Sequence, residues 1–193
     1  MITYPTKKNV YQRKRVSTTN RGMTLEALID ETNAHYLREN SAIIHKKPTP
    51  IQIVKVDYPA RSMAKITEAY YKTPSTTDYN GIYKGKYIDF DVKETLSATS
   101  FPLKNIHAHQ INHLKQVDAH GGIAFLLIAF KKHGTYHLLP YKNLDVYLTR
   151  AEKGRKSIAY QELCETSIEV REGFRPSLDY LKAVDRLLKQ KDL

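Results

Sequence analysis

In the run Tyr87–Lys93, Asp89, Asp91 and Lys93 alternate with Ile88, Phe90 and Val92. A strand sends successive side chains to opposite faces, so the two acids and the lysine share one face. Asp78 lies on the far side of the turn Tyr83-Lys84-Gly85-Lys86, and a hairpin through that turn would carry it across to Asp91. A carboxylate pair with an adjacent ammonium can hold a hard divalent cation and stabilise charge developing at a phosphorus centre. The same alternation is also what a plain solvated strand face produces, so the pattern leaves both readings open.

The elements that would position these residues are legible in outline. Thr76–Ile82 and Tyr87–Lys93 form the hairpin. A helix over Thr24–Arg38 buries Leu25, Leu28, Ile29, Thr32 and Tyr36. Glu26 lies off that stripe, where an acid complements the helix dipole. Ala42–Lys46 and Ile51–Val56 read as short strands separated by Lys47-Pro48-Thr49-Pro50. A helix over Ile106–His120 has the stripe Ala108, Ile111, Leu114 and Val117, and Gly121-Gly122 ends it. Ile123–Phe130 is almost continuously apolar, as a strand buried on both faces must be. The chain then turns at Lys131–Gly134 and returns antiparallel over Thr135–Leu139. Further helices are expected at 143–152 and 177–189, the last burying Leu178, Leu181, Val184, Leu187 and Leu188, with a basic loop at Gly154–Ile158 between them. This is an α/β chain: one mixed sheet flanked by helices.

Composition narrows the partners. In 193 residues, 31 Lys and Arg against 20 Asp and Glu leave a formal charge of +11, which suits a polyanion, nucleic acid being the commonest. The single cysteine, Cys164, excludes an internal disulfide framework. No apolar run reaches the roughly 18 residues of a membrane span, and no signal-peptide core is visible, so a cytoplasmic protein is expected. Residues 1–25 hold no acid but six basic residues, Arg13, Lys14 and Arg15 among them. We read residues 1–22 as a basic arm able to lie along phosphates, and residues 23–193 as a single domain. The segment 57–74 mixes Arg61 and Lys65 with Tyr70 and Tyr71, a combination that can grip backbones and stack on bases. His109 and His113 stand at i and i+4, as in zinc-binding HExxH helices, but Gln110 replaces the glutamate.

The strings RGMTLE, KKPTPIQIVKVDYPAR, PSTTDYNGIYKGKYIDFDVKET and HAHQINHL closely resemble the RecU family of Holliday junction resolvases, over about residues 21–188. Asp78 with Asp91-Val92-Lys93 resembles the D…(D/E)xK signature of the nuclease superfamily containing that family. The resemblance implies a restriction-endonuclease-like core with a protruding stalk at about 57–74. It implies Mg2+, or Mn2+ as substitute, held by Thr76, Asp78, Asp91 and Gln110, with Lys93 stabilising the transition state and Glu26 approaching the site. It further implies Arg61 and Lys65 on the stalk as DNA contacts, joined by Arg13, Lys14 and Arg15 of the arm. The expected substrate is the four-way DNA junction. Two opposed cuts require a homodimer, and recombinase and branch-migration proteins are implied partners. The chain departs from the pattern at two places: relatives usually carry glutamate at Asp91, and the superfamily has proline at Thr77. Asp89 therefore stays open as an alternative to Asp91, and Thr77 to Thr76, although Thr76 shares the parity of Asp78. A sequence-specific endonuclease and a non-catalytic nucleic-acid-binding protein are the competing functions.

Overall fold

The computed structural model describes residues 23–73 and 75–191. Arg13, Lys14 and Arg15, and the side chain of Arg61, lie outside what it describes. The first described element is α1 (Leu25–Arg38), capped by the Thr24 hydroxyl, which accepts the Ala27 N–H at 3.2 Å. Its buried residues include Leu25, Leu28, Ile29, Thr32 and Tyr36, the expected stripe. The strands β1 (Ile43–Lys46), β2 (Ile51–Asp57) and β3 (Lys65–Tyr71) follow, then the hairpin β4 (Tyr79–Tyr83) and β5 (Lys86–Thr95). After β6 (Ser100–Pro102) come α2 (Ala108–Ala119), β7 (Ile123–Phe130), β8 (Thr135–Pro140) and α3 (Tyr141–Lys153). The chain closes with β9 (Ser157–Ala159), α4 (Tyr160–Thr166), β10 (Ile168–Val170) and α5 (Tyr180–Lys191).

Six strands form the main sheet in the order β1-β4-β5-β7-β8-β10. The β5–β7 pair is parallel and the other neighbours are antiparallel. A parallel pair needs a crossover, and here the crossover contains α2. This places α2 beside the face of β5 that carries the acids. The β4–β5 turn is tight because both central residues take positive φ, Lys84 at 49° and Gly85 at 72°. Gly81 allows β1 to approach β4, since a Cβ there would stand 1.9 Å from the Ile43 carbonyl oxygen.

The core has two halves, one on each face of the sheet. Ile123, Phe125, Leu127 and Ala129 of β7 join α1, α5, Ile88, Phe90 and Val92 in the first. Phe90 lies stacked between Tyr79 and Phe125, with ring centroids 5.0 and 4.7 Å away. Ala124, Leu126, Ile128 and Phe130 face the second half, built with Leu114 of α2, Leu144 of α3 and Leu163 of α4. β7 is therefore buried on both faces, as its unbroken apolar run requires.

Several expectations change. The segment expected at 57–74 is the latter part of a longer two-stranded ribbon, β2 paired antiparallel with β3, and both strands are exposed along their length. Tyr70 and Tyr71 are therefore on an exposed strand. In α2, Ala108 is exposed in the first turn and Gln110 takes a buried position, its amide oxygen bonded to the His107 N–H. The loop expected at Gly154–Ile158 runs into β9, and α4 and β10 follow before the last helix, elements the sequence reading did not place. Leu178 is buried ahead of the last helix, which starts at Tyr180. Among the described residues no helix is long and apolar enough to cross a membrane.

Candidate active site

The β4–β5 register pairs Tyr79 with Phe90 and Asn80 with Asp89, so Asp78, just before β4, falls opposite Asp91. β5 is an inner strand covered by α2, and Asp91 is fully buried. The Asp91 carboxyl is pushed up to about 7, first by burial and then by the Asp78 carboxyl within hydrogen-bonding reach, with Lys93 acting in the opposite direction. Lys93 Nζ donates to Asp91 Oδ1 at 3.1 Å. Asp91 Oδ2 is buried and has no hydrogen-bond partner. Two ionised carboxylates offer only acceptors to one another, so this arrangement is stable with a shared proton or with a cation between them. The orphaned oxygen beside a second carboxylate is what a divalent cation would satisfy, and the residues fit that group.

The neutral oxygens sort themselves by their partners. Gln110 is buried, and its Oε1 accepts the His107 N–H at 3.1 Å, closing the first turn of α2. An amide oxygen has a second lone pair, so this bond leaves Gln110 able to ligate. Thr76 is half-buried and its hydroxyl donates to the Thr77 carbonyl at 3.3 Å. Thr77 is committed elsewhere: its buried hydroxyl donates to Asp89 Oδ1. Asp89 is equally committed. Its Oδ2 receives Lys47 Nζ at 2.8 Å and the Tyr87 hydroxyl at 2.8 Å, and lies 3.0 Å from His113 Nε2. Between the two pairs of alternatives, Thr76 and Asp91 keep oxygens to spare, while Thr77 and Asp89 do not.

Other candidates stand elsewhere. Glu26 is half-exposed in the first turn of α1 and pairs with Lys46 at 2.8 Å, which also approaches Asp30 at 3.6 Å. Among the described residues no three of His, Cys, Asp and Glu form a metal-holding group, so Glu26 does not complete one with Asp78 and Asp91. The same finding removes the His109–His113 zinc reading. His113 turns inward to Asp89, and His109 stacks on His107 at 5.5 Å. Burial depresses the proton affinity of His109, helped by His107 and Lys93, while Asp78 opposes them. Lys65 is exposed at the start of β3, paired in register with Asp57. Sequence reasoning missed Lys47 altogether. It also missed His113 as a partner of Asp89, although the i+3 spacing from Gln110 puts both on one helical face.

By their chemistry these residues, on a mixed α/β sheet, fit a hard cation. The chain belongs to the Recombination protein U (RecU) family, whose sequence model matches residues 20–186. It is 53% identical over 182 residues to the Holliday junction resolvase RecU of Bacillus mycoides (strain KBAB4), an alignment covering 94% of this chain and 88% of that protein. The same figures hold for the Holliday junction resolvase RecU of Bacillus anthracis (strain CDC 684 / NRRL 3495). Among solved structures, Archaeoglobus fulgidus Hjc, a Holliday junction resolvase, aligns at a TM-score of 0.41 with 11% identity, covering 75% of this chain and 90% of that one.

Proposed function

We propose that this chain is a Holliday junction resolvase, a structure-selective endonuclease that hydrolyses phosphodiester bonds symmetrically in four-way DNA junctions during recombination and repair. The observation that carries this reading is the buried Asp91 beside the half-buried Asp78, with its unpartnered oxygen and the adjacent Lys93, in a chain of the RecU family. Asp78 and Asp91, with the oxygens of Thr76 and Gln110, would hold Mg2+, or Mn2+ in its place. When bound, that ion supplies Lewis-acid polarisation of the phosphate and activation of a water. Lys93 shares one donor with Asp91 and has two more to offer a phosphate oxygen as charge builds on it. Burial of Asp91 keeps these interactions strong by excluding bulk water from it. Cys164 is exposed on α4 and has no place in this scheme.

Paired cuts across a junction need two opposed sites, so a C2 homodimer is part of the proposal. The β2–β3 ribbon supports junction selectivity. A narrow two-stranded projection carrying Lys65, Tyr70 and Tyr71 suits the central opening of a branched substrate, which a linear duplex lacks. The arm around Arg13, Lys14 and Arg15 would add sequence-independent phosphate contacts. The test compares a synthetic four-way junction with a linear duplex, each with and without Mg2+. Symmetric Mg2+-dependent cutting of the junction alone supports the proposal. Cutting of the duplex at defined sequences would instead make the protein a sequence-specific endonuclease, and binding without cutting a non-catalytic DNA-binding protein.

A further inference from the structure

The buried Asp89 is surrounded by donors from three separate parts of the chain. Lys47 follows β1, Thr77 precedes β4, and His113 belongs to α2, while Tyr87 lies on Asp89's own strand. Lys47 Nζ also donates to the Thr77 hydroxyl at 3.0 Å, so lysine, threonine and aspartate close a small ring. Each member adjoins a residue of the cation site. Thr77 immediately precedes Asp78, and the Lys47 backbone N–H donates to the Asp78 carbonyl at 2.7 Å. His113 is one turn beyond Gln110 on the same helix, and Asp89 is two residues before Asp91 on the same strand face.

From this we infer that Asp89 is a positioning residue whose clamp, closed by Lys47, Thr77 and His113, sets the relative placement of Asp78, Asp91 and Gln110. The inference rests on reading those three as cation ligands. Asp91 is on a strand laddered on both sides, but Asp78 is outside regular structure and faces a carboxylate that repels it. Tying its neighbour Thr77 and its own carbonyl to Lys47 holds Asp78 in place before any cation arrives. The same carboxylate draws α2, and with it Gln110, toward the strands through His113. Partners behind metal ligands typically govern affinity by about 10- to 100-fold when removed.

The test is isothermal titration of the full chain with Mn2+ in the absence of DNA, alongside junction cleavage and thermal unfolding. Lys47→Met removes the ammonium but keeps the backbone bond to Asp78. His113→Leu removes one clamp contact, and His113→Gln restores a donor at that place. Lys47→Met and His113→Leu should weaken Mn2+ binding about 10- to 100-fold with cooperative unfolding retained, and should lower kcat while leaving the KM for junctions unchanged. His113→Gln should recover most of the loss. Should Lys47→Met fail to fold, the His113 pair decides alone. If wild type and Asp78→Asn both fail to bind Mn2+, the cation-site reading falls and the clamp with it. If wild type binds, Asp78→Asn does not, and both clamp variants bind as wild type does, the clamp alone is refuted. A folded His113→Gln as weak as His113→Leu also refutes it.

Discussion

Replacing Asp91 with asparagine should make the metal-free protein more stable while destroying its activity. Asp91 is fully buried, and its raised proton affinity means that the folded state binds the proton more tightly than the unfolded chain does. The resulting penalty is absent below about pH 4, grows as pH rises, and is complete above about 7. A shift from 3.8 to about 7 corresponds to about 4 kcal/mol at pH 8. Asparagine keeps the shape, its oxygen can still accept from Lys93, and its amide can donate toward Asp78. Losing the charge attraction to Lys93 offsets part of the gain, so a net stabilisation of about 2 kcal/mol is expected. For a chain of this size that is a rise in Tm of roughly 4–8 °C. Thermal unfolding at pH 8 in EDTA, repeated at pH 5 and with Mg2+, measures it. The advantage of the variant should shrink at pH 5, and Mg2+ should raise the Tm of wild type much more than that of the variant. A variant less stable than wild type at pH 8, or an advantage that persists unchanged at pH 5, would refute the reasoning.

Asp78→Asn should abolish Mg2+-dependent junction cleavage and leave junction binding in a gel-shift assay largely intact, because the basic surfaces are untouched. Lys93→Ala should lower single-turnover cleavage by about 10²–10³-fold, the usual cost of one preorganised electrostatic group, and unchanged turnover would remove Lys93 from the mechanism. Changing Arg13, Lys14 and Arg15 together to alanine should weaken binding to every DNA and flatten its salt dependence, since fewer counterions are released. Substituting Arg61 and Lys65 should cost junction affinity more than duplex affinity at matched salt. Equal losses on both substrates would make the ribbon an ordinary basic patch.

Local pattern alone determined much of this protein. The hairpin turn at Lys84-Gly85, the stripe of α1, the doubly buried β7 and the approach of Asp78 to Asp91 all follow from periodicity and turn chemistry. These depend on neighbours in sequence or on a single hairpin register. The tertiary structure decided what the alternating acids of β5 are for. An amphipathic strand at a sheet edge would leave Asp89 and Asp91 in water, but β5 lies between β4 and β7 beneath α2, so both are buried. Burial then forces different fates on two chemically identical residues. Asp89 finds donors from Lys47, Thr77, Tyr87 and His113, whereas Asp91 keeps an unsatisfied oxygen facing Asp78. The ribbon strand Lys65–Tyr71 was equally hidden, because a strand with neither face on a core carries no alternation of burial to read. Spacing can nominate a carboxylate, but only packing decides whether its charge is already answered, because the answering groups come from 42 residues upstream and 24 downstream.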